Sequence, residues 1–195
     1  EFRQAMSRLA LTMGLRRFVV EIVAPMNAMV GDAWARGYFE IFEEHIYTET
    51  IQVVLRNALN TIPSTRKGPR VLLTTLPNEL HGLGLLMAEC IFSMEGAQCV
   101  SLGTQTPIYD IVLAARAQNI DVVALSFSAI QGSTAVLDAL TELREKLPPT
   151  VEVWCGGSAA ALRKKPSDDF YLLSSLDSIS ESIAGWRLRN QSTSA

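Results

Sequence analysis

Apolar residues follow two different periods along this chain. From residue 1 to about 60 no alternating stretch occurs; apolar positions instead recur three and four apart, as in Phe18, Ile22, Met26, Met29 and Val30, and around Ile46, Thr50, Val53 and Val54. Such spacing lines one face of a helix, and it predicts a bundle of roughly four helices over residues 1–60. Gly14, Pro25 with Asn27, and Gly31 or Gly37 are the expected breaks, because glycine ends helices readily and proline fits only a first turn. The polar stretch Asn60 to Pro69 reads as a connection, with a linker at 61–69.

From Arg70 onward short apolar runs alternate with amphipathic segments. Strands are expected near 70–75, 97–101, 121–125, 150–154 and 169–172, and helices near 83–95, 107–118, 133–147, 159–164 and 176–189. Near-continuous apolar strands separated by helices mean a parallel sheet covered on both faces and joined by right-handed crossovers. The fold class is therefore α/β: an N-terminal helical bundle, then a flavodoxin-like (Rossmann-type) doubly wound sheet of five parallel strands over 70–190, with a flexible tail at 191–195. In the common order 2-1-3-4-5 a ligand sits outside the strand C-termini, between the loops after strands 1 and 3.

Composition narrows the function classes. Hydrophobic residues make up 48% and charged ones 19% of the 195 residues, which excludes disorder. Net charge is -3 and the pI near 5.4, so the basic footprint of a nucleic-acid binder is missing and DNA is expected only through a domain absent from this chain. No uninterrupted apolar run reaches membrane-span length, and EFRQAMSRLA lacks signal-peptide architecture, so a soluble, cytoplasmic protein with no membrane partner is expected. Cys90, Cys99 and Cys155 are odd in number and widely spaced, which reads as reduced core residues rather than a disulfide framework or a CxxC site. The chain opens inside a helical pattern without a Met, so it reads as a piece of something longer, with Glu1-Phe2 as a cloning remnant.

Candidate chemistry gathers at strand ends. The first strand runs into Leu76-Pro-Asn-Glu79-Leu-His81-Gly82-Leu-Gly84, which puts a histidine in a glycine-flexible loop at the expected crevice, with Glu79 two residues away to fix its tautomer. A Rossmann fingerprint, a Walker loop and the acidic cluster of a receiver domain all fail here on residue type. Strand 2 runs into Ser101-Leu102-Gly103 and strand 4 into Cys155-Gly156-Gly157-Ser158, where paired glycines let a bulky ligand approach the backbone. Ordinary strand-to-helix turn chemistry is the favoured account of either loop taken alone.

Taken together, Glu79-x-His81-x-x-Gly84, Ser101-x-Gly103 and Gly156-Gly157 resemble the cobalamin-binding signature of the methionine-synthase type, D-x-H-x-x-G…S-x-L…G-G, over about residues 70–160. Glu79 stands for the usual Asp, and Gly103 for the usual Leu. The resemblance implies a cobalamin bound base-off, its tail threaded past Gly156 and Gly157 and its cobalt held from below by His81. Ser126 and Ser133, in the loop SFSAIQGS, would neighbour His81 or the tail. The helical half adds Trp34, Glu44 and His45, a W-x9-E-H pattern that resembles the cap of CarH/LitR-like cobalamin photoreceptors of the MerR regulator family. As one helix, the segment would return His45 to within about 20° of Trp34; a split at Gly37 is the alternative.

On that resemblance, Trp34 covers the upper cobalt face, Glu44 accepts hydrogen bonds from an adenosyl group, and His45 binds that group, a corrin amide or a neighbouring helix. A core Trp34 with a solvated Glu44-His45 pair is the plain alternative. The family's best-known members carry a histidine directly after the Trp, where this chain has Ala35. The implied function is a light-sensing, adenosylcobalamin-binding, homo-oligomeric portion of a transcriptional regulator that catalyses nothing itself. A corrinoid protein carrying methyl groups for a methyltransferase and a light-independent cobalamin sensor are the rivals.

Overall fold

The computed structural model describes residues 1–63, 67–130, 132–163 and 169–191, which leaves part of the expected linker, Lys164 of the expected fourth helix of the sheet region, and residues 192–195 of the expected tail outside the described residues. The chain divides into two compact units, Glu1–Pro63 and Ser64–Ala195.

In the first unit, α1 (Phe2–Met13) ends at Gly14, whose φ of +83° favours glycine. Then α2 (Leu15–Arg17), a π turn (Phe18–Val23) and α3 (Ala24–Ala35) run on as one helical stretch of 21 residues. The expected break at Pro25 does not occur. A proline ring crowds the carbonyl four residues back, but here the preceding turn is widened, so that the Ala24 amide bonds to the Val19 carbonyl and Pro25 falls in the first turn of α3. The stretch ends at Gly37 rather than Gly31: Gly37 has φ +73°, its amide donates to the Trp34 carbonyl, and the Tyr38 amide donates to Ala33. Next, α4 (Ile41–Leu59) opens on a capping box formed by Glu40 and Glu43. The unit thus has three helical stretches among its described residues where about four were expected. Met6, Phe18, Val19, Val23, Tyr47, Ile51, Val54 and Leu55 are its buried apolar residues of α1, the π turn and α4, whereas α3 buries none. By length and composition alone Leu15–Ala35 would suffice to cross a membrane, a property hidden in the sequence because Glu21 and Asp32 interrupt the apolar run.

The second unit is a parallel sheet ordered β2-β1-β3-β4-β5, built from β1 (Arg70–Thr74), β2 (Gln98–Gly103), β3 (Val122–Phe127), β4 (Glu152–Gly157) and β5 (Phe170–Leu173). The crossovers are α5 (Leu83–Met94), α6 (Ile108–Ala117), α7 (Ser133–Lys146) and a 3-10 turn at Ala160–Arg163, with α8 (Ser178–Gln191) last. The fourth expected helix is only that 3-10 turn. Valine and leucine fill β1 and β3, which are buried on both faces, while the edge strands β2 and β5 are half exposed. One layer of core joins Leu72, Ile111, Val123, Leu140, Val153 and Phe170. On the other side Phe92 of α5 meets Trp154 with ring centroids 5.9 Å apart. The cysteines are free thiols; burial pushes Cys90 and Cys155 up to about 12 and Cys99 up to about 11, so none is a thiolate near neutrality. Because β1 has β2 on one side and β3 on the other, the strand order reverses at β1, and the loops after β1 and β3 face a shared crevice.

Candidate functional site

Four neighbouring strands deliver the sheet unit's motif residues to one edge. Leu73 is in register with Ser101 and Thr74 with Gly103, while Ser126 pairs with Gly156 and Phe127 with Gly157. From β2 across β1 and β3 to β4, the C-terminal edge therefore carries Ser101-Leu102-Gly103, the Glu79–His81 loop, Ser126 and Gly156-Gly157.

The centre of this edge is a carboxylate–imidazole pair. Glu79 is only 1% exposed, yet its charge is well answered: the His81 amide donates to Oε1 at 3.0 Å, the His81 ring Nδ1 lies 2.7 Å from the same oxygen, and the Ser128 amide donates to Oε2 at 2.8 Å. Burial alone would raise the Glu79 pKa, but the hydrogen bonds from Ser128 and His81 outweigh it and hold the carboxyl below its ordinary value. An ionised carboxylate only accepts, so Nδ1 carries the proton and the Nε2 lone pair stays free. The His81 side chain is 55% exposed, which makes that lone pair accessible.

Glycines shape the neighbourhood. A Cβ on Gly84, in the first turn of α5, would stand 2.9 Å from Ser126 Oγ, so α5 approaches β3 as closely as a hydrogen side chain permits. Gly157 has φ +119°, and a Cβ there would lie 2.0 Å from the Phe127 carbonyl oxygen. Gly103 has φ +78° with open space around its Cβ position, and Gly82 caps the N-terminus of α5. Ser158 follows Gly157 and donates its amide to the Phe127 carbonyl, and Ser133 opens α7 in an exposed position. Exposed Leu80, Leu102 and Ile130 stand on the same loops and strand ends.

Two contributors escaped the sequence reading. Ser128 acts through its backbone amide, which no residue-type pattern reports. Thr75 is buried just past the end of β1, and the only signal for it is that Thr74-Thr75 interrupts an otherwise apolar run.

In the helical unit the W-x9-E-H segment is two helices. Trp34 lies in the last turn of α3, Glu44 in the first turn of α4 and His45 directly after it, so the one-helix alternative does not hold. Glu44 accepts from Thr48 Oγ1 at 2.6 Å and lies 2.7 Å from His45 Nδ1. Trp34 is 45% exposed, which rules out the plain reading of it as a core aromatic. One turn on, Tyr47 is buried, and burial together with the Glu44 charge pushes its phenol up to about 12.

The edge suits a large planar metal cofactor. His81 offers one imidazole nitrogen, a donor set that matches a metal whose other positions are filled by its own macrocycle, and Gly103 leaves open space where a side chain would stand, whereas the Cβ positions of Gly84, Gly156 and Gly157 face Ser126, Leu173 and Phe127. Residues 69–170 match the family model described as "B12 binding domain". The chain is 34% identical over 140 residues to the HTH-type transcriptional repressor CarH of Myxococcus xanthus, covering 72% of this chain and 46% of that protein. It is 30% identical over 95 residues to the methionine synthase of Mycobacterium leprae, covering 46% of this chain and 8% of the synthase. It therefore spans less than half the length of these curated relatives. Among solved structures, the Methanosarcina barkeri monomethylamine corrinoid protein superposes with a TM-score of 0.68 at 17% identity, covering 92% of this chain and 93% of that one, which shows a shared fold. The residues that carry the Glu79–His81 pair and its glycine-lined surroundings thus lie within the matched region, and the chain belongs to the B12-binding domain family.

Proposed function

We propose that this chain is the sensory portion of a transcriptional regulator, that it holds adenosylcobalamin base-off with His81 as the lower cobalt ligand, and that light is its signal. The observation that carries the reading is the Glu79–His81 pair, in which a buried, doubly anchored carboxylate holds one ring nitrogen and leaves the other free at the sheet's switch point. The relationship to a repressor supports the regulatory part. When bound, the cofactor supplies a cobalt–carbon bond that visible light can break.

The chain's own residues have separable tasks. Glu79 orients His81, and the nucleotide tail runs past Gly156 and Gly157, whose lack of side chains lets β4 pack closely on Leu173 and Phe127. Leu80, Leu102 and Ile130 offer apolar surface around the imidazole. In the helical unit, Trp34 offers a flat apolar face that excludes water from the upper side, and Glu44 accepts hydrogen bonds from the adenosyl hydroxyls or amine. Because Ala35 follows Trp34, His45 is the imidazole available in that unit once the upper group is lost. Loss of that group removes what Trp34 and Glu44 hold, and a homo-oligomer built on the helical unit responds by rearranging or dissociating, which alters DNA binding by a domain outside this chain.

The test is the visible spectrum of the protein loaded with adenosylcobalamin, wild type and His81→Ala, before and after green light, with light-scattering masses under both conditions. Histidine-ligated cobalt in the wild type alone, and a light-dependent change of mass, are expected. Unchanged ligation in His81→Ala overturns the lower-ligand assignment, and identical masses in dark and light overturn light-driven disassembly. Tighter retention of methylcobalamin than adenosylcobalamin would favour a methyl-carrying corrinoid protein.

A further inference from the structure

The apolar run of β1 gives way to two threonines, Thr74 and Thr75, both 0% exposed. A hydroxyl taken fully out of water must find partners or cost stability, and Thr75 Oγ1 finds two on different loops. It donates to the Glu79 carbonyl at 2.7 Å and accepts from the Gln105 amide at 2.8 Å. The same two loops are laced again by backbone: the Thr75 amide donates to the Gly103 carbonyl at 3.3 Å, and the Thr106 amide donates to the Thr75 carbonyl at 3.1 Å.

Backbone strain marks both ends of this lacing. Gln105 has φ +58° and Asn78 φ +68°, a left-handed conformation that costs an L-residue and persists where surroundings enforce it. For Gln105 the enforcing bond is the one its amide makes to Thr75. Glu79, whose carbonyl the hydroxyl holds, is the residue whose carboxylate orients His81. The β2–α6 loop on the other side of the hydroxyl continues from Ser101-Leu102-Gly103.

We infer that Thr75 is a positioning residue for the lower cobalt ligand: its hydroxyl ties the His81 loop to the β2–α6 loop, so that the imidazole and the loop beside it are held as one body. The inference deepens the function proposed above and rests on His81 being that ligand. Thr75 touches neither cobalt nor corrin and acts only through Glu79 and Gln105.

Valine has nearly the shape of threonine without the hydroxyl, so Thr75→Val orphans the Glu79 carbonyl and the Gln105 amide together, whereas Thr75→Ser keeps both bonds. The experiment loads wild type, T75V, T75S and H81A with adenosylcobalamin in the dark and reads the ratio of histidine-ligated to unligated bound cobalt from the visible spectrum. Hydrogen exchange at the Gln105 amide is measured in the apoproteins. T75V is expected to lower the ligated-to-unligated ratio about tenfold and to speed Gln105 exchange at least about tenfold, with T75S within about twofold of wild type on both readings. If valine is refused at this buried position, Thr75→Ala against Thr75→Ser isolates the hydroxyl, since both lack the methyl. Wild-type ligation and exchange in the hydroxyl-less variants, with ligation lost in H81A, overturn the inference and leave the proposed function standing. Ligation retained in H81A overturns both.

Discussion

Replacing Glu79 by glutamine tests the centre of the site without any cofactor. The side chain keeps its size, but one oxygen becomes an NH2 group. Because Oε1 receives the His81 amide and ring and Oε2 receives the Ser128 amide, either orientation of the new amide sets NH2 against at least one donor. At a position 1% exposed, one orphaned donor costs about 1–3 kcal/mol. For a domain of this size that is a Tm lower by roughly 3–10 °C. The pH dependence has a definite sign. The Glu79 carboxyl is held below its ordinary value in the folded chain, so its contribution is present at neutral pH and is lost as pH falls through the folded pKa. Urea unfolding of apoprotein from pH 7 down to pH 3 should therefore show a gap between wild type and Glu79→Gln that is largest at neutral pH and closes on acidification. A gap that is absent at pH 7, or constant across the range, refutes the assignment of an ionised, triply bonded Glu79.

Gly84→Ala should weaken adenosylcobalamin retention in equilibrium dialysis, because the new methyl meets Ser126 Oγ at 2.9 Å, and Ser126→Ala in the same chain should restore it; equal loss in single and double variants refutes the steric account. Gly157→Ala should cost about 3 kcal/mol or more in urea unfolding, since its φ of +119° suits glycine and the obstacle is the Phe127 backbone, which cannot turn aside. Trp34→Ala and Glu44→Ala should weaken retention of adenosylcobalamin more than of methylcobalamin, and equal losses for both cofactors would remove the upper-face roles given to these residues.

Most of the fold was legible because buried parallel strands write themselves as short apolar runs, and β1 to β5 fall within three residues of where those runs place them. The region after β4 was less so: the stretch has helical composition but forms only a 3-10 turn at Ala160–Arg163, and composition does not report length. Pro25 was misread because the rule against proline assumes a regular α-turn before it, whereas the chain supplies a wider one. At the site, His81, Glu79 and the glycines stood out by residue type and position. Ser128 contributes an amide any residue could supply, and Thr75 a hydroxyl whose value depends on two loops that meet only in the fold.

The π turn at Phe18–Val23 also sets an angular phase. A widened turn of this kind adds a residue to the helix, and one residue is worth about 100° of rotation, so the face that α3 presents is offset from the one that continues Phe18, Val19 and Val23. That offset accounts for a π turn with three buried residues leading into an α3 with none, and for an indole at Trp34 left turned away from its own unit's core. Aim at position 34 is thus written more than ten residues upstream. Closing Phe18–Val23 to a regular α-turn at unchanged chain length would swing Trp34 through roughly a quarter turn, whereas deleting one residue there removes the extra residue with the widened turn and leaves the indole's aim as it is.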